Sequence, residues 1–457
     1  MNKVKNNLQQ WFKDNEKKNL EDFFSFLKFS TIGTDPSFKS EMEKCAAWLI
    51  DFLKDCQMKA RLLDTPSYPV VFAEKHYSDN VPTLLIYGHY DVQPVDPLDL
   101  WDSDPFEPTM KGNTIYARGA LDNKGQIFYV LLVMKALHEL LIDLPLNIKL
   151  CIEGEEESGS EGLSSILSSE KETLKADSLL VVDLDIPDKN TPAITLGARG
   201  IVTMDVEVIG ADIDLHSGHH GGIAFNPIRA LVDVLAKLWD EKGVVTIKSF
   251  YDDVEEVATK DFDLSFDEKQ YVKEFGVRAF SPEGDYTVVE SNWFRPAIEI
   301  NGIEGGYHGK GFKTVLPAKA HAKLSCRIVP HQTPEKVGRL IAEFLKENIH
   351  KGLKINVDLH HGGSPIISDK NSLLAKCTST AYSEVFKTPC KNIMAGGSVP
   401  IIAEIAEKLD AIPVMMGMGL ASDNIHAPNE HFGWDRLEKG FQVVGKILEL
   451  MAHHGSS

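Results

Sequence analysis

The stretch Leu84-Leu-Ile-Tyr-Gly-His-Tyr-Asp91 decides the fold of this chain. Its apolar first half is typical of a buried strand, and a glycine ends that run abruptly. His89 and Asp91 then stand two residues apart, at the expected carboxyl edge of the strand. Open α/β sheets bind their ligands at that edge. The stretch therefore predicts a buried strand that presents a histidine and an aspartate to a ligand.

Strands and helices alternate on both sides of this stretch. The alternation predicts an α/β fold with a doubly wound, mostly parallel sheet. Beyond residue 200 the pattern of apolar residues changes to that of half-exposed strands and amphipathic helices, which predict an α+β sandwich with an antiparallel sheet. The pattern of buried strands alternating with helices returns after residue 369. We therefore expect a discontinuous catalytic domain at residues 1–198 and 367–457, with an inserted domain at residues 199–366.

The length, net charge and cysteine content of the chain exclude several classes of function. A chain of 457 residues exceeds what one core usually fills, which agrees with two domains. The formal net charge of −19 argues against binding to nucleic acid or to an anionic membrane surface. The six cysteines are scattered, as expected for reduced thiols in a cytoplasmic protein. The polar start predicts no signal peptide, and no apolar stretch is long enough to predict a membrane span.

Four further segments carry carboxylates or a histidine in similar settings: Asp122, the run Glu153-Gly-Glu-Glu-Glu157, Asp183 and His426. Each has an ordinary explanation by itself, namely a helix cap, a solvated acidic loop, a turn aspartate or a structural histidine. Carboxylates gathered at strand ends repel one another unless cations neutralise them. Zinc accepts histidine and carboxylate ligands, and manganese tolerates the same mixture. Together the segments predict a hydrolase with two metal ions.

The chain resembles the M20 family of metallopeptidases over nearly its whole length, and within that family the dipeptidase branch with its carnosinase-like cytosolic members. The motifs that carry the resemblance are Gly88-His-Tyr-Asp-Val-Gln-Pro94, Trp101-x-x-Asp-Pro-Phe106, Arg118-Gly-x-x-Asp122-x-Lys-Gly125, Glu153-Gly-x-Glu-Glu-Ser-Gly159, Leu215-His-Ser-Gly218 and His426-Ala-Pro-Asn-Glu430.

The resemblance implies a dinuclear centre with two divalent metal ions per subunit, Zn2+ in the first place and Mn2+ or Co2+ as alternatives. Asp122 would bridge the ions, and Glu156 would be the general base. Asp91 would orient the imidazole of His89. Asp185 lies close to Asp183 in sequence, but the surrounding register selects Asp183. The remaining metal ligands would be His89, Glu157, Asp183 and His426. The resemblance also implies a cis Asp122–Asn123 peptide bond.

The inserted domain would act as a lid and dimerisation domain. His216 resembles a lid histidine that stabilises the oxyanion and reaches in from the partner subunit of a homodimer. Arg327 would bind the C-terminal carboxylate of a small peptide substrate. Further substrate contacts would come from Thr314, His361 and Ser398. For His216 the alternative is a polar loop with His219 and His220, and for Arg327 it is an arginine on a strand surface.

Alternative functions share parts of this pattern. An N-acyl-amino-acid deacylase would use the same metal centre on acetyl or succinyl amides. A binding or scaffold protein would keep the fold without catalysis, but Glu156 and all five candidate ligands are present. A calcium site is disfavoured by the two histidines. Met394 and Ala395 stand where dipeptidases of the family usually carry Arg-Glu. This difference would either be a neutral change at the rim of the pocket or change the substrate preference.

Overall fold

The computed structural model describes residues 2–256, 259–360, 362–397 and 399–454. The helices are α1 (Asn2–Asp14), α2 (Glu16–Leu27), α3 (Lys39–Asp55), α4 (Lys124–Glu139), α5 (Glu161–Ile166), α6 (Lys171–Leu174), α7 (Ser217–His220), α8 (Pro227–Leu235), α9 (Glu268–Phe275), α10 (Val288–Phe294), α11 (Pro334–Asn348), α12 (Leu373–Phe386), α13 (Pro400–Leu409) and α14 (Trp434–His454). The strands are β1 (Lys59–Leu63), β2 (Val70–Lys75), β3 (Thr83–His89), β4 (Thr109–Lys111), β5 (Thr114–Tyr116), β6 (Asn147–Glu153), β7 (Ser178–Asp185), β8 (Ala193–Ala198), β9 (Gly200–Ile209), β10 (Leu215–His216), β11 (Ala297–Gly305), β12 (Val315–Leu316), β13 (Lys319–Ile328), β14 (Lys354–Leu359), β15 (Ile366–Ile367), β16 (Lys391–Ala395), β17 (Ile412–Gly419) and β18 (His431–Gly433).

The chain folds into two compact units. Unit 1 contains Met1–Gly197, Ser368–Ile393 and Glu404–Ser457, and unit 2 contains Ala198–Ile367 and Met394–Ala403. The last of these segments differs from the boundaries expected from the sequence, which kept residues 367–457 together. Its placement follows from hydrogen bonds within unit 2. The backbone N–H of Arg199 donates to the carbonyl oxygen of Ala395 at 3.2 Å, and its guanidinium Nε donates to that of Gly396 at 2.9 Å.

The sheet of unit 1 runs in the order β1-β2-β6-β3-β7-β17-β8. Strand β3 pairs in parallel with both β6 and β7, and β7 pairs in parallel with β17. Residues Leu84–His89 on β3 are all buried, because both faces of a central parallel strand are covered. Helix α4 is buried along most of its length, and it contacts α14, α2 and α3. The apolar run that opened the sequence analysis therefore lies in the middle of the main core.

The sheet of unit 2 runs in the order β11-β13-β9-β14, and all of its pairs are antiparallel. One face carries apolar residues at every second position, such as Met204 and Val206 on β9, opposite Leu324 and Ala322 on β13. Helices α8 and α11 pack against that face and close the core. The other face is polar and carries ion pairs, including Lys323 to Asp205 at 2.8 Å.

The predicted fold class is confirmed by this architecture: a mixed α/β chain with a mostly parallel central sheet. The antiparallel sheet expected from the alternating strands after residue 200 is also present. The antiparallel strands β1 and β2 at the edge of the first sheet were not expected from the sequence. Among the described helices, none is both long and apolar enough to cross a membrane.

Candidate metal centre

The carboxyl ends of three neighbouring parallel strands build one side of the centre. His89 is the last residue of β3, β6 ends immediately before the acidic loop, and Asp183 lies near the end of β7. The imidazole of His89 is fully buried. Its Nε2 lies 3.2 Å from Oδ1 of Asp122 and 3.7 Å from Oδ2 of Asp183. These three side chains form a group whose ligand atoms all lie within 4.8 Å of one another.

A second group forms around His426, which precedes β18. The Nε2 atom of His426 lies 2.9 Å from Oδ2 of Asp122 and 3.2 Å from Oε1 of Glu157. The ligand atoms of these three side chains also lie within 4.8 Å of one another. Asp122 thus belongs to both groups and turns one carboxylate oxygen toward each histidine. This is the arrangement that a carboxylate bridging two cations requires.

The donor set fits two divalent metal ions. The buried Nε2 of His89 and the buried Oε1 of Glu157 have no hydrogen-bond partner. A buried polar atom without a partner is costly, and a bound cation would remove that cost. One histidine and two carboxylates in each group, with one carboxylate shared, match the ligand types of zinc and manganese.

The electrostatics of the groups agree with a cation site. A hydrogen bond to Asp122 and the nearby carboxylate of Glu157 raise the pKa of His426 to about 10. Burial alone would raise the pKa of Asp122, but the hydrogen bond with His426 and the nearby imidazole of His89 lower it. Burial raises the pKa of Asp183 to about 6, with His89 opposing that shift. The surrounding carboxylates therefore favour positive charge at both histidines.

Glu156 lies beside the two groups without belonging to either. Its Oε2 is 3.9 Å from Nε2 of His89. Burial raises the pKa of its carboxyl well above the ordinary value. The carboxylate of Asp91 accepts hydrogen bonds from the backbone N–H of Glu156 at 3.3 Å and of Glu157 at 3.0 Å. Asp91 also contacts Nδ1 of His89 at 3.2 Å, so one aspartate fixes both the imidazole and the loop with the two glutamates.

Two residues of this centre were missed in the sequence analysis. The side-chain amide of Gln93 donates to Oε2 of Glu157 at 2.8 Å and turns the other oxygen toward His426. The side chain of Asn123 accepts from the backbone N–H of His89 at 3.1 Å and donates to Oδ1 of Asp183 at 2.6 Å. Both are amides in motif stretches, where no pattern separates a supporting side chain from a neighbouring one. The cis Asp122–Asn123 peptide bond that was expected is present.

The other predicted site residues belong to unit 2. His216 on β10 is exposed, and its Nδ1 accepts a hydrogen bond from the backbone N–H of Gly218 at 3.0 Å. Thr314 lies next to it, because the backbone N–H of Ser217 donates to the Thr314 carbonyl oxygen at 3.0 Å. Arg327 on β13 is half-buried, and burial lowers the pKa of its guanidinium. His361 and Ser398 lie outside the described residues.

Comparison with known proteins connects this geometry to a family. The family model described as "Peptidase family M20/M25/M40" matches residues 85–450, which contain every candidate ligand named above. The chain belongs to peptidase family M20/M25/M40. This M20 peptidase is also 32% identical over 402 residues to the "Cys-Gly metallodipeptidase dug1" of Schizosaccharomyces pombe. That match covers 85% of this chain and 84% of the relative.

Solved structures extend the likeness to almost the full length of this M20 peptidase. Human carnosine dipeptidase 1 superposes with a TM-score of 0.82 at 28% identity, over 98% of this chain and 99% of that one. The M20 family metallo-carboxypeptidase Sso-CP2 from Sulfolobus solfataricus gives a TM-score of 0.83 at 32% identity, over 95% of this chain and 99% of that one. The fold is therefore that of the M20 family along both compact units.

Proposed function

We propose that this chain is a dinuclear metallodipeptidase that hydrolyses the peptide bond of dipeptides or short peptides. The observation that carries the proposal is the shared Asp122 carboxylate, with one oxygen 3.2 Å from Nε2 of His89 and the other 2.9 Å from Nε2 of His426. The names of the curated relatives support a dipeptidase rather than an N-acyl-amino-acid deacylase. The proposal takes the substrate class from those relatives and the chemistry from the side chains.

Each candidate ligand has a role in this proposal. His89 and Asp183 would hold one cation, Glu157 and His426 would hold the other, and Asp122 would be shared by both. Asp91 orients His89 through its Nδ1 contact and raises the basicity of the imidazole. The metal would be Zn2+, with Mn2+ or Co2+ as alternatives that accept the same ligands. When bound, the two cations supply positive charge that polarises the scissile carbonyl and lowers the pKa of the attacking water.

Glu156 acts as the general base in the proposed reaction. It accepts a proton from the attacking water and passes that proton to the leaving amine. This role requires a carboxylate that is not itself a ligand, and Glu156 lies beside both ligand groups while belonging to neither. The hydrogen bonds from two consecutive backbone N–H groups to Asp91 keep the base and the adjacent ligand Glu157 in fixed relative positions.

Unit 2 would supply the groups that recognise the substrate. His216 would stabilise the oxyanion in the site of a partner subunit, which makes the active form a homodimer. Arg327 would bind the substrate carboxylate, and Thr314, His361 and Ser398 would make further contacts. The exposure of His216 and its neighbour Thr314 leaves both side chains available for a second subunit. None of the six cysteines forms a disulfide, as expected for a cytoplasmic protein.

We expect the metal-stripped protein to regain dipeptide hydrolysis when Zn2+, Mn2+ or Co2+ is added. The assay compares dipeptides with a free amine, the matching tripeptides, and N-acetyl and N-succinyl amino acids. The expected result is metal-dependent cleavage of the free-amine dipeptides in preference to the others. Cleavage confined to acylated amino acids would assign the same centre to a deacylase. Absence of hydrolysis with two cations bound would contradict the enzymatic proposal.

The His216→Ala variant is expected to lose about 10²–10³-fold in kcat, because oxyanion stabilisation contributes a few kcal/mol. His220→Ala is the matched control, since it removes an exposed imidazole from the same short segment.

Mixing His216→Ala with Glu156→Gln subunits tests the partner's contribution. Hybrid dimers would regain one complete site, so random reassortment of dimers should restore about a quarter of wild-type activity. No recovery after subunit exchange would place His216 in its own subunit's site or outside the reaction.

A further inference from the structure

A buried carboxylate outside the ligand groups accepts hydrogen bonds from the loop that carries Asp122. Glu430 is fully buried. Its Oε1 accepts hydrogen bonds from the backbone N–H of Leu121 and of Asp122, both at 3.0 Å. Its Oε2 accepts from the backbone N–H of Gly119 at 2.9 Å and from Nη1 of Arg118 at 2.8 Å. All four donors come from five consecutive residues that end at Asp122.

The backbone around Glu430 explains how it reaches this loop. Strands β5 and β18 pair antiparallel, with Tyr116 opposite His431. The pairing continues beyond the strands, where the backbone N–H of Ala117 donates to the carbonyl oxygen of Glu430 at 3.2 Å. His426 lies four residues before Glu430 on one chain segment, and Asp122 lies five residues after Ala117 on the other. The two segments that carry His426 and Asp122 are thus joined at Glu430.

We propose that Glu430 is a positioning residue that holds Asp122 in the orientation from which its two oxygens reach two cations. This inference rests on the proposed dinuclear centre and adds a residue to it. An ionised carboxylate that accepts four hydrogen bonds, one of them from an arginine, holds its donors more firmly than a neutral acceptor does. The backbone N–H of Asp122 is one of those donors, so this hydrogen bond holds the backbone of the bridging residue in place. Its carboxylate stays free to contact His89 and His426.

The Gln side chain cannot replace Glu430 in this arrangement. Each carboxylate oxygen of Glu430 faces two donors. An amide carries one oxygen and one NH2 group, so either orientation directs N–H bonds at two donors that then lack an acceptor. The loop from Arg118 to Asp122 has to shift to relieve that conflict. The oxygens of Asp122 would then no longer span the two histidines.

The test measures metal binding by the full-length Glu430→Gln variant. Apoprotein is titrated with Co2+, and the number of ions retained after dialysis is counted by elemental analysis. We expect the wild type to retain two ions, and the variant to bind the second ion about 10–100-fold more weakly. The magnetic coupling between the two Co2+ ions, measured by electron paramagnetic resonance, should weaken or disappear. With peptide substrate, kcat should fall by a similar factor, with a smaller change in KM.

Glu449→Gln is the matched control, because Glu449 is equally buried in unit 1 but pairs with Lys446 on α14. Both variants should lose thermal stability without metal, and only Glu430→Gln should lose the second ion. Two tightly held, coupled ions in Glu430→Gln would overturn the inference.

If that variant does not fold, Glu430→Asp takes its place, because its side chain keeps the charge but is one methylene shorter. If Glu430→Asp bound two ions as tightly as the wild type, the inference would equally be overturned. A wild-type protein that fails to bind two ions would instead contradict the proposed function.

Discussion

The Glu156→Gln variant is expected to lose about 10²–10⁴-fold in kcat, the usual contribution of a general base, while both metal ions stay bound. The amide cannot accept the proton of the attacking water. The side chain is close in shape to the original, and Glu156 belongs to neither ligand group, so the ions keep all their ligands. Steady-state hydrolysis of a dipeptide and elemental analysis of the same sample give the two readings.

Glu155→Gln serves as the control for Glu156→Gln. The carboxylate of Glu155 accepts a hydrogen bond from the backbone N–H of Gly162 at 2.9 Å, which an amide oxygen can also accept. We expect near-normal kcat from this variant. A Glu156→Gln variant with near-normal kcat would show that another group moves the proton. Loss of metal from Glu156→Gln would show that Glu156 is a ligand.

The Asp122→Asn variant is expected to lose both the metal ions and the activity. The amide removes the negative charge that faces the two histidines, and it leaves only one oxygen where two are needed. Since metal ions supply several kcal/mol of transition-state stabilisation, kcat/KM should fall by about 10³-fold or more. Ion counting and peptide hydrolysis measure the two losses separately.

Asp185→Asn is the control for this loss. Asp185 lies on β7 two residues beyond Asp183, and it is in neither of the ligand groups found among the described residues. This variant should retain two ions. If Asp185→Asn lost an ion and Asp183→Asn did not, the register inferred from the sequence would be wrong by two residues. Retention of two ions by Asp122→Asn would rule out the bridging role.

The parts of the fold that follow a strong period were predictable from the sequence. The spacing of apolar residues predicts a strand at residues 354–359 and a helix at residues 373–386, and β14 and α12 have these limits. The amphipathic pattern of residues 227–241 predicts one helix, but α8 ends at Leu235, where a short 3-10 turn follows. The strands β1 and β2 were missed because their residues show no regular alternation. Only Leu63 is buried on β1, while four consecutive residues are buried on β2.

The sequence pattern could reveal some residues of the candidate site and not others. His89 and Asp183 were predictable because a chemically distinctive side chain follows an apolar strand. Glu430 and Gln93 were not, since their importance lies in hydrogen bonds to residues far away in sequence. A sequence does not indicate which backbone N–H groups a side chain binds, so an acceptor such as Glu430 is recognisable only in the structure. The geometry therefore adds mainly the residues that hold the ligands in place.

The position of β17 has a consequence for how the chain is made. This strand lies between β7 and β8 in the sheet, although it is synthesised well after both of them. A nascent chain that ends before Ile412 has β7 with an open edge, which is a surface prone to pairing with other chains. His426 and Glu430 follow the same strand. Closing the sheet and completing the hydrolytic centre are therefore one late event, so incomplete chains are open to chaperones and proteases before they can cleave any peptide.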